Sequence, residues 1–278
     1  MKTLFISDLD GTLLDSKGKV SENTAVIMNS LIKKGLYFTF ATARSVYSAK
    51  PITENININV PCILMNGVSV YDLEKGSYVR NEYISESASK DVIKAFERHN
   101  VQCFMYKIHD DILTAYFNKM TDEAMKKFAE ERRNSYRKPF VHSPIFPLDG
   151  DVVYFTAAGE LEKLLPVKNN VAGIKGVNYA FYEDVYTKKY YLEVFSGSAS
   201  KANGIRYLKK NLGFEKVVCF GDNLNDLTMF EVSDVRVAVE NAKDEVKKAA
   251  GFTADSNDND GVAVWINQFA NNCFPFDY

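Results

Sequence analysis

The sequence predicts an α/β protein: a doubly wound parallel sheet with a smaller α+β domain inserted into the middle of the chain. Two stretches, residues 3–65 and 201–239, alternate short apolar runs with helical patterns. Strands separated by helices pair in parallel, and unbroken apolar runs are typical of strands covered on both faces. The stretch between them has clustered strand patterns with separate helices, which is typical of an α+β layer.

The N-terminal stretch begins with an apolar run at residues 3–6, predicted to be a strand. A helix is predicted over residues 21–34, because apolar side chains recur at helical spacing between Ser21, a candidate N-cap, and Gly35, a typical helix stop. A second strand is predicted at 36–41, a second helix at 45–54 and a third strand at 62–65.

The pattern changes after this point. Short alternating runs between residues 68 and 84 flank Glu74-Lys75-Gly76, which predicts a hairpin. A helix is predicted at 85–99, followed by antiparallel strands at 102–108 and 112–117. The remaining middle elements are predicted as a helix at 121–134, a proline-containing loop at 139–147, strands at 151–157, 177–183 and 190–195, and a helix at 159–168.

The alternating pattern returns near the end of the chain. A helix is predicted at 201–212, strands at 216–220 and 235–239, and a closing helix at 261–269. The predicted domains are therefore a Rossmann-like core from residues 1–82 and 190–278, and an inserted α/β cap from residues 83–189.

Composition favours a soluble globular protein. The 278 residues are 46% hydrophobic and 25% charged, with a net charge of -2, so nothing predicts a nucleic-acid or membrane partner. The four cysteines form no CxxC pair, which argues against a zinc site or disulfide framework and favours a reducing cytoplasm. The sequence does not determine the oligomeric state. It also leaves open whether the apolar tail at 273–278 packs on the core of its own chain or mediates self-association.

Two acidic residues, Asp8 and Asp10, follow the first predicted strand and precede Gly11. In an open parallel sheet, ligands bind beyond the carboxyl ends of the strands, so a site is expected in this loop. Glycine tolerates the backbone angles of a sharp turn, so one carboxylate can attack a substrate while the other moves protons. The same pattern occurs in calcium-binding loops and surface turns, which remain alternatives for this motif alone.

A second polar segment, Gly-Asp-Asn-Leu-Asn-Asp at residues 221–226, follows the strand predicted at 216–220. Carboxylate oxygens, a backbone carbonyl and water are the ligands that Mg²⁺ takes. The alternative is a turn that caps the next helix, where Asp and Asn are also favoured. Both acidic loops in one chain favour a metal-dependent site.

Two further residues occur at suitable positions along the chain. Thr42 follows the second predicted strand, and Lys201 begins the helix before the second acidic loop. A hydroxyl can hold a phosphoryl oxygen, and an ammonium can offset the charge of a phosphate. A lone threonine or lysine is more often a capping or surface residue. The case for a functional role of Thr42 and Lys201 rests on their positions at a strand end and a helix start, in order along the chain with the two acidic loops.

Four segments together resemble the motifs of the haloacid dehalogenase-like phosphatases: Asp-Leu-Asp-Gly-Thr-Leu at 8–13, Ala-Thr-Ala-Arg at 41–44, Ser-Lys-Ala-Asn-Gly at 200–204 and the segment at 221–226. The long gap between the second and third motifs resembles the Cof-type subgroup, which carries an α/β cap there. Asn66-Gly67 and residues 256–262 are also similar to that subgroup. One departure is Ala43, where the subgroup usually has glycine, and its methyl group is expected to tighten the phosphate pocket.

The resemblance implies a Mg²⁺-dependent phosphatase in which Asp8 is the nucleophile, forming a transient aspartyl-phosphate, and Asp10 is the general acid and base. The implied Mg²⁺ ligands are Asp8, the backbone carbonyl of Asp10 and Asp222, with Asp226 supporting through water. The implied phosphate contacts are the side chains of Thr42, Lys201 and Asn225 and the backbone amides of Leu9 and Ala43. The implied substrate is a small phosphorylated metabolite such as a sugar phosphate, selected by the cap.

Three alternative functions remain open from the sequence. A sugar phosphomutase would use the same aspartyl-phosphate but retain and reorient its intermediate. A glycosyltransferase could use Asp8 and Asp10 to hold Mn²⁺ and a nucleotide sugar, but this leaves Lys201 and Asp222 unexplained. A non-catalytic receiver-like module could present clustered acids and a lysine, but it has no need of Asp10.

Overall fold

The computed structural model describes residues 2–183 and 188–273, and the predicted roles of the tail fall mostly outside these residues. The chain forms two compact units: the described parts of Met1–Arg80 and Ser200–Tyr278 make the first, and those of Asn81–Ala199 make the second. In chain order the strands are β1 (Thr3–Ser7), β2 (Tyr37–Phe40), β3 (Cys62–Leu64), β4 (Ser69–Asp72), β5 (Ser77–Asn81), β6 (Phe104–His109), β7 (Ile112–Phe117), β8 (Phe140–His142), β9 (Val152–Gly159), β10 (Val177–Glu183), β11 (Tyr190–Ser196), β12 (Lys216–Gly221), β13 (Val235–Val239) and β14 (Phe252–Ala254). The helices are α1 (Glu22–Lys33), α2 (Val46–Thr53), α3 (Glu86–Arg98), α4 (Glu123–Tyr136), α5 (Leu161–Val171), α6 (Lys201–Leu212), α7 (Leu227–Phe230), α8 (Asp244–Ala249) and α9 (Gly261–Cys273).

The first unit is built on a five-stranded sheet in the order β14-β13-β12-β1-β2, and every pairing in it is parallel. The register aligns Ser7 at the end of β1 with Phe220 near the end of β12. The loops that follow β1 and β12 therefore begin side by side at the carboxyl edge of the sheet. The predicted parallel core is confirmed.

Strand β3 connects this sheet to a smaller one. It forms a single parallel bridge, Ala41 to Ile63, just beyond the end of β2, and it pairs antiparallel with β4 in the three-stranded sheet β3-β4-β5. The predicted hairpin around residues 74–76 is the connection between β4 and β5.

Helix ends in the first unit follow from local sequence. The Ser21 hydroxyl accepts a hydrogen bond from the Thr24 amide at 2.9 Å and caps α1 as predicted. The Ser200 hydroxyl accepts from the Asn203 amide at 3.0 Å and so sets the start of α6 at Lys201. Helix α6 ends at Leu212, and the next residue, Gly213, has the left-handed backbone that suits glycine.

The closing helix α9 packs on one face of the parallel sheet through aromatic rings. Phe269 lies 6.2 Å from Phe5 of β1, and Trp265 lies 5.4 Å from Phe220 of β12, both in edge-to-face geometry. Such pairs add to the apolar burial that holds a helix on a sheet.

The second unit is a six-stranded sheet in the order β10-β11-β9-β6-β7-β8. Its pairings are antiparallel except for the parallel pair β7–β8. Helices α3 and α5 cover one face, where their apolar side chains form a continuous cluster with those of β6, β9 and β11. The predicted α+β character of this region is confirmed.

Several short elements were not predicted. Strand β8 lies inside the region expected to be a proline-containing loop, and α7, α8 and β14 lie in unassigned sequence. These elements have three to six residues, too few to show a periodic pattern, and pairing or packing against distant segments stabilises them.

The unit boundary also differs from the predicted one. The core was expected to resume at residue 190, but β11 pairs with β9 and β10 over its whole length. The second unit therefore extends to Ala199, and the chain re-enters the first unit at Ser200.

The described residues contain no helix with both the length and the apolar character needed to cross a membrane. Cys62, Cys103 and Cys219 are buried free thiols, as expected from their scattered positions.

Candidate active site

Asp8 lies immediately after β1 and is buried. Its backbone amide donates to the Phe220 carbonyl at 3.0 Å, which extends the pairing of β1 with β12 by one residue. The chain then turns at Gly11, whose φ of +78° lies in the left-handed region. A Cβ at Gly11 would lie 2.6 Å from Asp222 Oδ2, so glycine also allows the two acidic loops to approach.

The second acidic loop follows β12 and is organised around Asp226. Asp226 Oδ2 accepts hydrogen bonds from the backbone amides of Asp222 and Asn223, both at 3.0 Å. A Cβ at Gly221 would lie 2.6 Å from Asp226 Cβ, so this close packing requires glycine. Asp222 Oδ1 in turn accepts from the Thr12 hydroxyl at 2.9 Å, a bond that joins the two loops.

Lys201 connects both loops from the first position of α6. Its Nζ lies 2.6 Å from Asp8 Oδ1 and 2.8 Å from Asp226 Oδ1, and its side chain is 1% exposed. Gly67 allows the chain before Lys201 to approach, because a Cβ there would lie 2.0 Å from the Ser200 carbonyl oxygen.

Three carboxylates converge at this point. Oxygen atoms of Asp8, Asp222 and Asp226 all lie within 4.8 Å of one another, and Lys201 contacts two of these residues. One ammonium cannot offset three ionised carboxylates. An all-oxygen donor set with excess negative charge fits a hard divalent cation, so the cluster is an acidic site of the kind that holds such an ion.

The pKa values of the residues at this site reflect the same excess of negative charge. Burial raises the pKa of Asp8 well above its ordinary value, and the Asp226 carboxylate raises it further. Burial and Asp226 also raise the pKa of Asp222, to about 6. Burial disfavours the charged form of Lys201, but Asp8 and Asp226 outweigh it and raise the pKa of that ammonium. Without a bound cation, Asp8 and Asp222 therefore take up protons more readily than an exposed aspartate does.

Asp10 lies apart from this cluster, and its carboxylate pairs with Arg44. Arg44 Nε donates to Asp10 Oδ2 at 2.7 Å, and Arg44 Nη2 donates to Oδ1 at 2.6 Å. The Asp10 side chain is 53% exposed and that of Arg44 is 26% exposed. The sequence left Arg44 open between substrate contact and ion pairing, and the structure has it in an ion pair with Asp10.

The other predicted site residues occupy the same loops. Thr42 is buried, and its hydroxyl accepts from the Arg44 amide at 3.1 Å. Leu9 has a fully buried side chain, whereas Ala43 and Asn225 are exposed. Their contacts with a phosphate group stay predictions.

Sequence reasoning missed the residues that brace the first loop. Asn241 donates from Nδ2 to the Gly11 carbonyl at 2.7 Å, and its Oδ1 accepts from the Asn257 amide at 3.0 Å. Asp260 accepts from side chains at the start of α1, including the Thr24 hydroxyl at 2.9 Å. Similarity of residues 256–262 to the Cof-type subgroup was the available signal, and the structure shows that this segment holds the loop between β1 and α1.

Comparison with known proteins decides the family. The family model for haloacid dehalogenase-like hydrolases matches residues 5–266. The chain belongs to this family. A putative phosphatase of Buchnera aphidicola subsp. Schizaphis graminum is 30% identical over 278 residues, covering 96% of each chain. The 5-amino-6-(5-phospho-D-ribitylamino)uracil phosphatase YwtE of Bacillus subtilis is 26% identical over 288 residues, covering 96% of this chain and 98% of its own.

Solved structures agree in fold. A haloacid dehalogenase-like hydrolase of Bacteroides thetaiotaomicron has a TM-score of 0.80 at 22% identity, covering 97% of this chain and 100% of its own. A Thermotoga maritima protein has a TM-score of 0.79 at 29% identity, covering 96% of this chain and 97% of its own. The chain is thus a haloacid dehalogenase-like phosphatase of the Cof type, and the glycosyltransferase and non-catalytic alternatives are wrong.

Proposed function

We propose that this phosphatase hydrolyses small phosphorylated metabolites by attack of Asp8 on phosphorus, with Mg²⁺ as cofactor. The observation that carries the proposal is the cluster of buried Asp8 and Asp226, half-buried Asp222 and buried Lys201 at the carboxyl edge of the parallel sheet. Ligands of open parallel sheets bind beyond this edge, and Lys201 holds one Asp8 oxygen, Oδ1. Asp8 Oδ2 is then the proposed attacking atom.

Two chemical steps follow from these roles. In the first, Asp8 forms a bond to phosphorus as the ester bond to the leaving oxygen breaks, and Asp10 gives that oxygen a proton. In the second, water attacks phosphorus, Asp10 takes its proton, and the bond to Asp8 breaks, releasing phosphate. Both Asp10 oxygens accept hydrogen bonds from the Arg44 guanidinium, so Asp10 must loosen this contact before it can bond to the leaving oxygen.

The phosphate dianion repels the attacking carboxylate, and the site must offset that repulsion. Lys201 supplies a fixed positive charge beside Asp8. The proposed Mg²⁺ ligands are Asp8, the Asp10 carbonyl and Asp222, with Asp226 supporting through water. When bound, the ion would stabilise negative charge on the transferred phosphoryl group. The proposed phosphate contacts are Lys201, Thr42, Asn225 and the backbone amides of Leu9 and Ala43.

The substrate class is proposed from the names of relatives. YwtE and a second Bacillus subtilis relative, YitU, are both named as phosphatases of 5-amino-6-(5-phospho-D-ribitylamino)uracil, a phosphate ester of a hydroxylated chain. We extend this chemistry to a sugar or polyol phosphate for the present chain, hydrolysed in the cytoplasm. Selectivity is assigned to the second unit, because fold and core motifs alone do not determine the leaving group.

The test is hydrolysis of phenyl phosphate and a panel of sugar and polyol phosphates by wild type and Asp8→Asn, with Mg²⁺ and then with EDTA. The amide is nearly isosteric but a poor nucleophile, so Asp8→Asn should fold normally and lose activity by several orders of magnitude. Release of free phosphate from a monophosphate separates hydrolysis from the phosphomutase alternative. Wild-type turnover by Asp8→Asn, or full activity in EDTA, would refute the proposal.

A further inference from the structure

A concave groove on the first unit lies between strand β5 and helix α6. Its volume is about 300 Å³, at the lower end of the range for pockets that hold small molecules. Its lining residues, called the basic groove below, are Arg80, Asn203, Arg206, Tyr207, Lys210 and Asn211. Three of these side chains are cations and none is acidic, although the whole chain has a net charge of -2. The groove therefore concentrates positive charge on a protein that is negative as a whole.

One face of helix α6 forms a wall of the groove. The lining residues of α6 recur at spacings of three and four, so they share one face of the helix. Helix α6 carries four cations and no acidic residue, whereas exposed surfaces usually mix both signs of charge. Arg206 and Lys210 are four residues apart, a spacing at which like charges on a helix repel. An anion bound between them would relieve this repulsion.

Two of the groove cations have no acidic partner. Among the described residues, neither Arg206 nor Lys210 forms an ion pair with a carboxylate. Both side chains are exposed, and Arg206 Nη1 donates to Asn203 Oδ1 at 2.7 Å, which holds the guanidinium beside another lining residue. Lys209 of the same helix, in contrast, pairs with Asp234 at 3.2 Å. Arg206 and Lys210 therefore keep N–H donors that a ligand can use.

Arg80 supplies the third cation from a different segment of the chain. It belongs to β5, is half-buried, and its guanidinium carbon lies 5.0 Å from the centre of the Tyr207 ring. Tyr207 Oη donates to the Val79 carbonyl at 3.4 Å, which links α6 to β5 at the groove. The helix dipole favours a cation in the last turn of α6 and so accounts for Lys210. It does not account for Arg206 in the middle of the helix or for Arg80 on a strand.

We propose that the basic groove binds the phosphate group of a small molecule, at a site that shares no residue with the acidic cluster of Asp8, Asp222 and Asp226. A guanidinium presents a fork of N–H donors that matches the oxygens of a phosphate, and an ammonium adds a point charge. A cleft lined by one sign of charge also raises the local concentration of oppositely charged ligands. The volume holds inorganic phosphate or the phosphate ester of a small metabolite, and the asparagine amides of the groove supply further donors and acceptors.

The experiment is a calorimetric titration of the full-length protein in Mg²⁺ at constant ionic strength, with inorganic phosphate and ribose 5-phosphate as probes. Every protein carries Asp8→Asn, so that any binding at the acidic cluster is the same in all of them. Arg206→Gln and Lys210→Gln each remove one charge from the groove and should weaken phosphate binding about tenfold. Tighter binding of ribose 5-phosphate than of phosphate assigns the groove to a phosphate ester, and equal binding assigns it to free phosphate.

Lys209→Gln is the matched control, because it removes one charge from the same helix but outside the groove. It should leave the phosphate affinity within about twofold, since its charge acts only through screening solvent. With Asp8 restored, Arg206→Gln and Lys210→Gln should leave kcat/KM for phenyl phosphate within about twofold of wild type, because distant sites act independently. The inference is overturned if Lys209→Gln weakens phosphate binding as much as the groove variants do. Unchanged phosphate binding in both groove variants would also overturn it.

Discussion

Lys201→Met tests the charge balance of the acidic cluster through stability. The substitution keeps most of the side-chain volume and removes the ammonium that lies 2.6 Å from Asp8 and 2.8 Å from Asp226. The side chains of these acids are 9% and 0% exposed, so both carboxylates lose their cation in a poorly hydrated site. Removing one partner of a buried ion pair costs about 3–5 kcal/mol, which is the expected fall in unfolding free energy without metal.

The pH dependence of this loss has a definite sign. The folded-state pKa of Lys201 is raised, so its contribution is fully present below the unfolded value of 10.5 and disappears only as the pH rises through the folded value. In the variant, burial and the Asp226 carboxylate hold the pKa of Asp8 above its value in the unfolded chain. The penalty for the unpaired Asp8 carboxylate is therefore largest at high pH and shrinks as Asp8 takes up a proton. The difference from wild type should narrow from about pH 8 to about pH 5.

Urea unfolding followed by Trp265 fluorescence, in EDTA, measures this difference. The control is Lys209→Met on the same helix, whose pair with Asp234 spans 3.2 Å with side chains 37% and 41% exposed. An exposed pair contributes about 0–1 kcal/mol, so this control should be nearly neutral. Added Mg²⁺ should restore part of the stability lost in Lys201→Met. The reasoning fails if Lys201→Met costs no more than the control, or if its loss grows in acid.

Substitutions of Asp222 and Asp226 should have different effects on Mg²⁺ binding. Asp222→Ala should weaken the Mg²⁺ affinity measured by calorimetry more than about tenfold. Asp226→Ala should chiefly lower the free energy of unfolding, because the Asp226 oxygens bond an ammonium and two backbone amides, and equal losses of affinity in the two variants would contradict this. Gly67→Ala should lower Tm by about 10 °C or prevent folding, because the new Cβ would lie 2.0 Å from a backbone oxygen. The control Gly35→Ala, where a Cβ would meet open space, should lower Tm much less. Lys138→Met should raise the free energy of unfolding by up to about 5 kcal/mol below pH 7, because burial lowers the pKa of Lys138 from 10.5 to about 7. This gain in stability should decrease as the pH rises towards 10.5. A gain that does not depend on pH would refute the prediction.

The sequence by itself determined the parallel core and the location of its site. Apolar runs ending at Asp8 and Asp222, with helical patterns between them, specify strands whose acidic loops meet at one edge of a sheet. The Ser21 cap and the start of α6 at Lys201 were also predicted, because capping depends on side chains within one helical turn.

The tertiary structure alone decided which groups touch. Lys201 contacts Asp8 across 193 positions of sequence, and Arg44 pairs with Asp10 instead of remaining free for substrate. Strand β11 belongs to the second unit because it pairs with β9 and β10 over its whole length. Such contacts depend on strand order and on the directions of side chains from distant segments, and a local pattern of residues carries neither.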